Sequence, residues 1–307
     1  MQNELALVFP GQGAQKIGML KALAAKYSHV QTTFSLATQV LGYDLWELSQ
    51  NGPAEKLNQT EVTQPLLLTA GVAVWRIWQQ INGVAPSFMA GHSLGEYTAL
   101  VCAEALTFAD ALKLVQNRGR FMQNAYNGAS AMVAIVGLSD AMVKQICETA
   151  AQDEVLVPAN YNSLGQTVLA GQLAAAERAI ELANNAGAKM SKILPVSVPS
   201  HSPLMRPAAD QLAQCLAQIT INVPKIPVIH NTDVVCHQDP SAIRDALTRQ
   251  LYSPVRWVET IQFMINNGMK TILECGPGKI LTGLNKRISS IITADFIGEP
   301  EKIMNKV

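Results

Sequence analysis

Along the chain, short continuous apolar runs alternate with longer segments whose apolar residues recur at helical spacing. The run ELALVF, residues 4–9, predicts a buried strand, and PGQGAQ the turn after it. KIGMLKALAAKYSHVQTTFSLATQVLG carries helical spacing. TQPLLLTAGVAVWRIWQQI predicts a longer apolar helix with Pro65 in its first turn, where a missing N–H costs little. APSFMAG predicts a short strand, and LGEYTALVCAEAL the helix that follows. TFADALKLVQNRGRFMQNAY predicts another helix, opened by Thr107 as cap and Asp110 as first-turn acid.

From about residue 128 the pattern changes. GASAMVAIVGL reads as strand and SDAMVKQICETAAQ as helix. VLVPANYNSLGQTVLAG reads as two strands about a turn, QLAAAERAIELANNAGA as helix and KMSKILPVSVP as strand. This is a β-α-β-β-α-β order, the split βαβ or ferredoxin-like arrangement. Past it, LMRPAADQLAQCLAQI, SAIRDALTRQL and VRWVETIQFMINNG predict helices, and IPVIHN and KTILECGPG strands. Strands alternating with helices on both sides of the insert predict an α/β fold with a parallel sheet. The expected domains are a core of residues 1–127 and 198–307 and a small subdomain of residues 128–197.

Composition narrows the function classes. The chain has 307 residues, is 49% hydrophobic and carries 23 basic and 23 acidic residues, a formal net charge of zero. A nucleic-acid binder needs a basic face to displace counterions, and none is indicated. The N-terminus lacks a basic n-region, and Glu4 interrupts its apolar run, so it is a poor signal peptide. The stretch PLLLTAGVAVW is shorter than the roughly 20 apolar residues a membrane span takes. Five scattered cysteines without a C-x-x-C argue against a disulfide framework or a metal site and suit a reducing cytoplasm.

The segment MAGHSLGEYTAL holds the most specific chemistry. Gly91-His92-Ser93-Leu94-Gly95 fits G-x-S-x-G between a predicted strand and a predicted helix, the context of a nucleophile elbow. In so tight a turn, side chains two positions either side of the serine would clash, hence the glycines. Ser93 would stand at a helix N-terminus, with the N–H of Leu94 placed to receive an oxyanion. The bland alternative is a Gly-Ser turn that caps a helix.

A serine hydroxyl needs a base. His92, adjacent to Ser93, should diverge from it and pack against or orient the site. His29 reads as surface, and His230 and His237 as structural histidines beside a strand. His201, in PVSVPSHSPLMRP, lies on a proline-stiffened loop that could reach a cleft. Spacing leaves His201 and His230 both open as the base. FPGQGAQ fails the dinucleotide and Walker A patterns, since Lys16 stands where a third glycine would be. It reads as a bare turn or as a turn that aims the Gln12 N–H at the same oxyanion as Leu94. By themselves, Arg118 and Arg120 read as a solvated helix face.

FPGQGAQ, TQPLLLTA, GHSLGEYTAL, NRGRFMQ, NYNSLGQTVLAG, VSVPSHSPLM, RQLYSPVRW and ECGPGKILTGL together resemble, in order and spacing, the malonyl-CoA:acyl-carrier-protein transacylases of bacterial fatty-acid synthesis. The resemblance runs over about residues 4–290. It implies an α/β-hydrolase-like core with an inserted ferredoxin-like subdomain. By position it implies Ser93 as nucleophile, His201 as general base and Arg118 as the grip on the malonyl carboxylate. The backbone N–H groups of Gln12 and Leu94 would be the oxyanion donors. The main-chain carbonyl of Gln250 would orient the histidine in place of an Asp, and Asn162 would lie at the rim. One departure is Ser200, directly before His201, where malonyl-selective members often carry Phe; selectivity then rests mainly on Arg118.

The reaction implied is ping-pong transfer of a malonyl group from malonyl-CoA, through malonyl-Ser93, to the phosphopantetheine thiol of acyl carrier protein. No bound cofactor, metal, nucleic acid or membrane is expected. Lys189, Lys192, Lys286 and Arg287 are candidates for docking an acidic carrier protein. The competing reading is a serine esterase or thioesterase on the same elbow. Its triad order puts Asp or Glu between Ser and a late His, and Asp140 and Asp153, which do lie between, fall in the insert. A non-enzymatic carrier-docking module is a third reading, and the intact Ser93, His201 and Arg118 set argues against it.

Overall fold

The structure, a computed structural model, describes residues 3–196 and 198–306. Among these residues the strands are β1 (Leu5–Phe9), β2 (Phe88–Gly91), β3 (Ser130–Val136), β4 (Leu156–Ser163), β5 (Gln166–Gln172), β6 (Met190–Ile193), β7 (Val228–Ile229), β8 (Thr271–Glu274) and β9 (Thr293–Phe296). Leu5, Leu7 and Phe9 pack into one apolar cluster, and Ala6 and Val8 into another on the opposite face. A strand covered on both faces reads as an unbroken apolar run, which is why ELALVF shows no alternation. β1 is the centre of a five-stranded sheet ordered β7-β2-β1-β8-β9, with every pair parallel. Its strands end on the side that carries the turns after β1 and β2. That is where an open parallel sheet places its ligand site.

The second sheet is antiparallel, ordered β4-β5-β3-β6. With helices Asp140–Ala151 and Leu173–Asn185 it forms the ferredoxin-like unit expected from the sequence. Ala131, Val133 and Ile135 pack with those helices. The alternate residues Met132, Ala134, Val168 and Ala170 form a separate small cluster with Leu194 and Val196 on the other face. Ser197, at the expected end of the insert, lies outside the described residues. The α/β class, with a parallel core sheet and a separate antiparallel sheet, is therefore as predicted.

Several boundaries differ from expectation. The segment after the first turn forms two helices, Lys21–Lys26 and Ser28–Leu41, because Tyr27 is extended (φ −131°). The apolar helix spans Thr60–Gln80, so Pro65 falls beyond its first turn. The lost N–H is tolerated because almost every residue of that helix is buried, which supplies tertiary stabilisation that propensity does not. β6 stops short of Pro195, which cannot donate to a ladder. No described helix is long and apolar enough to cross a membrane.

Candidate active site

Ser93 sits between β2 and the helix Leu94–Cys102 with φ 51° and ψ −108°, a conformation non-glycine residues rarely adopt. The turn leaves no room beside it. A Cβ on Gly91 would lie 1.8 Å from the Gly95 carbonyl carbon, and one on Gly95 would lie 2.0 Å from the Phe9 carbonyl oxygen. The two glycines of G-x-S-x-G are therefore steric requirements of the elbow. The Ser93 N–H is tied to Asn231 Oδ1 at 2.8 Å, and the Asn231 amide donates to the Gly91 carbonyl at 2.7 Å. These bonds hold the strained turn from behind.

His201 reaches the serine across 108 positions of sequence. The Ser93 hydroxyl donates to His201 Nε2 at 2.8 Å, and His201 Nδ1–H donates to the Gln250 main-chain carbonyl at 2.7 Å. A carbonyl can only accept, so Nδ1 carries the proton and Nε2 presents its lone pair to the hydroxyl. Gln250 is the last residue of the helix Pro240–Gln250. Its carbonyl is one of the unpaired terminal acceptors, at the negative end of the helix dipole. His201 is buried, and its pKa falls to about 3, first from desolvation and then from the Arg118 charge beside it. The imidazole is neutral at physiological pH. A hydroxyl bonded to a neutral imidazole, itself oriented by a fixed acceptor, is an arrangement able to lose its proton to that imidazole.

Arg118 is only 1% exposed. Its helix, Phe108–Asn124, turns the side chain inward, whereas Arg120 is on the exposed side. The solvated-face reading thus holds for Arg120 and fails for Arg118. Arg118 Nη1 donates to Gln64 Oε1 at 2.9 Å, and Nη2 donates to Gln250 Oε1 at 2.9 Å and to Ser93 Oγ at 3.2 Å. Its Nε has no acceptor among the described residues, and its guanidinium lies 5.3 Å from the Tyr97 ring centroid. Burial lowers its pKa from the ordinary guanidinium value. A buried guanidinium held by neutral amide oxygens, with no carboxylate within ion-pair distance among the described residues, keeps its charge available to an anionic ligand.

A cavity of about 200 Å³ opens onto these groups. Gln12, Leu94 and Asn162 line it together with Ser93, Arg118 and His201. The Gln12 N–H donates to no acceptor among the described residues, and the Leu94 N–H, first in its helix, precedes the intrahelical ladder. Asn162 Oδ1 accepts from His92 Nε2–H at 2.8 Å, so His92 turns away from Ser93 to the small sheet. His230 lies outside the cavity lining, with Nδ1 bonded to Glu96 at 2.7 Å. Of the two histidines that spacing left open, His201 is the one that contacts Ser93.

The family's sequence profile, described as an acyl transferase domain, matches residues 6–290. The chain belongs to the malonyl-CoA:acyl-carrier-protein transacylase family. It is 55% identical over 299 residues to the malonyl CoA-acyl carrier protein transacylase of Escherichia coli K12, which covers 97% of each chain. Its fold superposes with TM-score 0.97 on the crystal structure of an acyl carrier protein S-malonyltransferase from Vibrio cholerae, 53% identical over 99% of each chain. It also superposes with TM-score 0.98 on a malonyl-transacylase solved in complex with its type II polyketide-synthase acyl-carrier protein, 50% identical over 99% of each chain. The protein is an enzyme, an acyltransferase.

The acyltransferase cavity is polar at its floor and apolar along its walls. Met132 and Val168 of the small sheet, Leu194 and Val196 just after β6, and Ile280, Leu281 and Leu284 of the helix Ile280–Ile288 line those walls. Ser200 also lines it, and its small side chain leaves the wall beside His201 open. Three residues bonded into the site escaped the sequence reading: Gln64, Glu96 and Asn231. Glu96 had a signal, being the one charged residue in the otherwise uncharged helix LGEYTALVC. Gln64 and Asn231 had none beyond their neighbours in sequence.

Proposed function

We propose that this enzyme transfers a malonyl group from malonyl-CoA to the phosphopantetheine thiol of acyl carrier protein, in two half-reactions through malonyl-Ser93. The observation that carries the reading is the convergence on one hydroxyl of a neutral imidazole and a buried, unneutralised guanidinium. His201 Nε2 takes the Ser93 proton as Oγ attacks the thioester carbonyl. The resulting oxyanion is received by the N–H groups of Gln12 and Leu94, and each such donor is typically worth about 10²–10³ in rate. The carbon–sulfur bond then breaks, CoA leaves as the thiol with the proton from His201, and malonyl-Ser93 remains. In the second half-reaction the carrier's thiol gives its proton to His201 and attacks the ester. The Ser93 oxygen leaves and recovers the proton. Arg118 holds the free carboxylate through charge-assisted hydrogen bonds. No step calls for a cofactor.

The chemistry suits the weak base. A thiol with pKa about 8.5 leaves far more readily than an amine, so an imidazole steadied by a carbonyl suffices. A hydrolase triad would want a carboxylate at His201 Nδ1. That partner here is a main-chain carbonyl, and Asp140 is bonded instead to the Thr167 hydroxyl. Five unpaired cysteines suit a reducing compartment, and we assign the enzyme to the cytoplasm.

The deciding experiment presents a panel of acyl-CoAs with holo acyl carrier protein and reads products by mass spectrometry. Malonyl-carrier should dominate, and malonyl-CoA without acceptor should give a stable adduct on Ser93. Equally fast CoA release with and without acceptor would mean a hydrolase.

The carrier must meet the enzyme at the cavity mouth. Lys189, Lys192, Lys286 and Arg287 are exposed, and none is in an ion pair among the described residues. Lys192 is two residues from cavity-lining Leu194, and Lys286 two residues from Leu284. Arg287 bridges from the helix to Gln166 of the small sheet at 3.1 Å. Rim charges act mainly on encounter. Reversal of Lys286 and Arg287 to Glu should raise KM for the carrier protein by about tenfold at low salt and leave KM for malonyl-CoA unchanged. An unchanged carrier KM would place the docking face elsewhere.

A further inference from the structure

We propose that Glu96 is a positioning residue that fixes the polarity of the Gln250 amide and so maintains Arg118 as a carboxylate receptor. The inference rests on the malonyl role just given to Arg118.

Gln250 does two jobs. Its main chain orients His201, and its side chain bridges Arg118 to the back of the elbow. Oε1 accepts from Arg118 Nη2 at 2.9 Å, while Nε2 donates to Glu96 Oε2 at 2.8 Å and to the Ser93 carbonyl at 3.0 Å. An amide is nearly symmetric in shape, so only its neighbours decide which end faces which way. Arg118 offers donors only, and Glu96 turns toward Gln250 the same oxygen that accepts from the Asn231 N–H. The reverse orientation would press an NH₂ against the guanidinium and an oxygen against the carboxylate.

Glu96 is itself locked. It is fully buried, Oε1 accepts from His230 Nδ1–H at 2.7 Å, and Oε2 also accepts from the Asn231 N–H at 3.0 Å. The chain His230–Glu96–Gln250–Arg118–Ser93 is thus continuous. It sets a negative charge one side chain back from the guanidinium. A carboxylate in the place of Gln250 would neutralise Arg118 directly and compete with the substrate. An amide backed by a carboxylate holds the arginine and leaves its charge to the ligand. That also accounts for a buried Glu96, paired with His230 from beyond β7, on a helix that is otherwise uncharged.

The test compares kcat/KM for acylation by malonyl-CoA and acetyl-CoA in wild type, Glu96→Ala, Glu96→Gln, Gln250→Met and the Glu96→Ala/Gln250→Met double variant. Glu96→Ala should lower the malonyl-to-acetyl ratio at least about tenfold, a coupling of the usual size for residues in one network. Glu96→Gln, which can still turn an oxygen to Gln250, should retain most of the ratio. Gln250→Met should lower it as Glu96→Ala does, and the double variant should lower it no further. Equal slowing of both substrates in Glu96→Ala, with the ratio intact, would overturn the proposal in favour of plain structural support. So would an undiminished effect of Glu96→Ala in the Gln250→Met background. If Glu96→Ala does not fold, Gln250→Met alone decides, since an unchanged ratio there leaves Glu96 nothing to act through. The wild-type ratio separates the two levels. A wild type without malonyl preference removes the functional reading and this one with it. A wild type with that preference, and a flat ratio across the variants, removes only the role of Glu96.

Discussion

Ser93→Ala is expected to abolish formation of the acyl adduct and to reduce carrier acylation by at least about 10⁴-fold, and His201→Ala should do nearly the same. Groups that act as one unit do not lose activity additively, so the double variant should be little worse than either single one. The readout is intact-mass detection of a malonyl group on the enzyme, alongside CoA release. The proposed mechanism also predicts the shape of the pH profile. As the proposed base His201 would work only when neutral, and burial together with Arg118 lowers its pKa from the ordinary 6.5 to about 3. Acylation should therefore stay level as pH falls from 8 through 6.5, and decline only as pH approaches the lowered value. An exposed histidine would instead lose half its activity near its ordinary pKa of about 6.5. A midpoint near 6.5 in the acylation rate of free enzyme would mean that His201 is not buried beside Arg118 in solution. An adduct on Ser93→Ala at the wild-type rate would remove the hydroxyl from the mechanism.

How much of this was legible in the sequence follows from the range of each interaction. The elbow is local: five consecutive residues define it, and the clash distances at Gly91 and Gly95 show why the motif is written that way. The antiparallel unit is also local, since its strands and helices follow one another within some seventy positions and carry clear periodicity. The histidine is different. Composition and spacing left His201 and His230 equal, because what separates them is a fold that brings residue 201 to residue 93 and points residue 230 at Glu96. Arg118 reads as solvated because a helix pattern shows which residues share a face and not what that face meets. The buried partners Gln64 and Gln250 come from 54 positions before it and 132 after it. The missed strand β9 and helix Ile280–Ile288 have the same cause: short, mixed segments whose burial is decided by the sheet they join.

The same range argument explains why the site is not over-stabilised. Its serine is in a strained conformation, its imidazole has lost basicity, and its arginine is desolvated without a counter-ion in contact. Each of these costs stability, and each leaves a group short of something a ligand brings. In the proposed reaction the hydroxyl takes the acyl group and the guanidinium the carboxylate. The surrounding amides and the Glu96 network hold them in place without satisfying them.

Arg118→Ala should convert this imbalance into a change of substrate. If Arg118 receives the malonyl carboxylate as proposed, an acetyl group would leave the guanidinium facing an apolar end, and leaving one member of a buried ion pair alone typically costs about 3–5 kcal/mol. That difference corresponds to roughly 10²–10⁴ in kcat/KM between malonyl-CoA and acetyl-CoA. Removal of the guanidinium takes away the attraction for malonyl and the penalty for acetyl together. Malonyl transfer should fall by about that factor, while acetyl transfer holds or rises, so that the preference collapses or inverts. Arg118→Lys should recover only part of the malonyl rate, because an ammonium cannot form two parallel bonds to a carboxylate. Steady-state kinetics with both acyl-CoAs, at saturating carrier protein, check the wild type and both variants. The open wall at Ser200 sharpens the test, since no bulky side chain there stands in for Arg118 as a selector. Unchanged malonyl kinetics in Arg118→Ala would remove the arginine from recognition altogether. An equal loss for both substrates would reduce it to a support for Ser93 and Gln250.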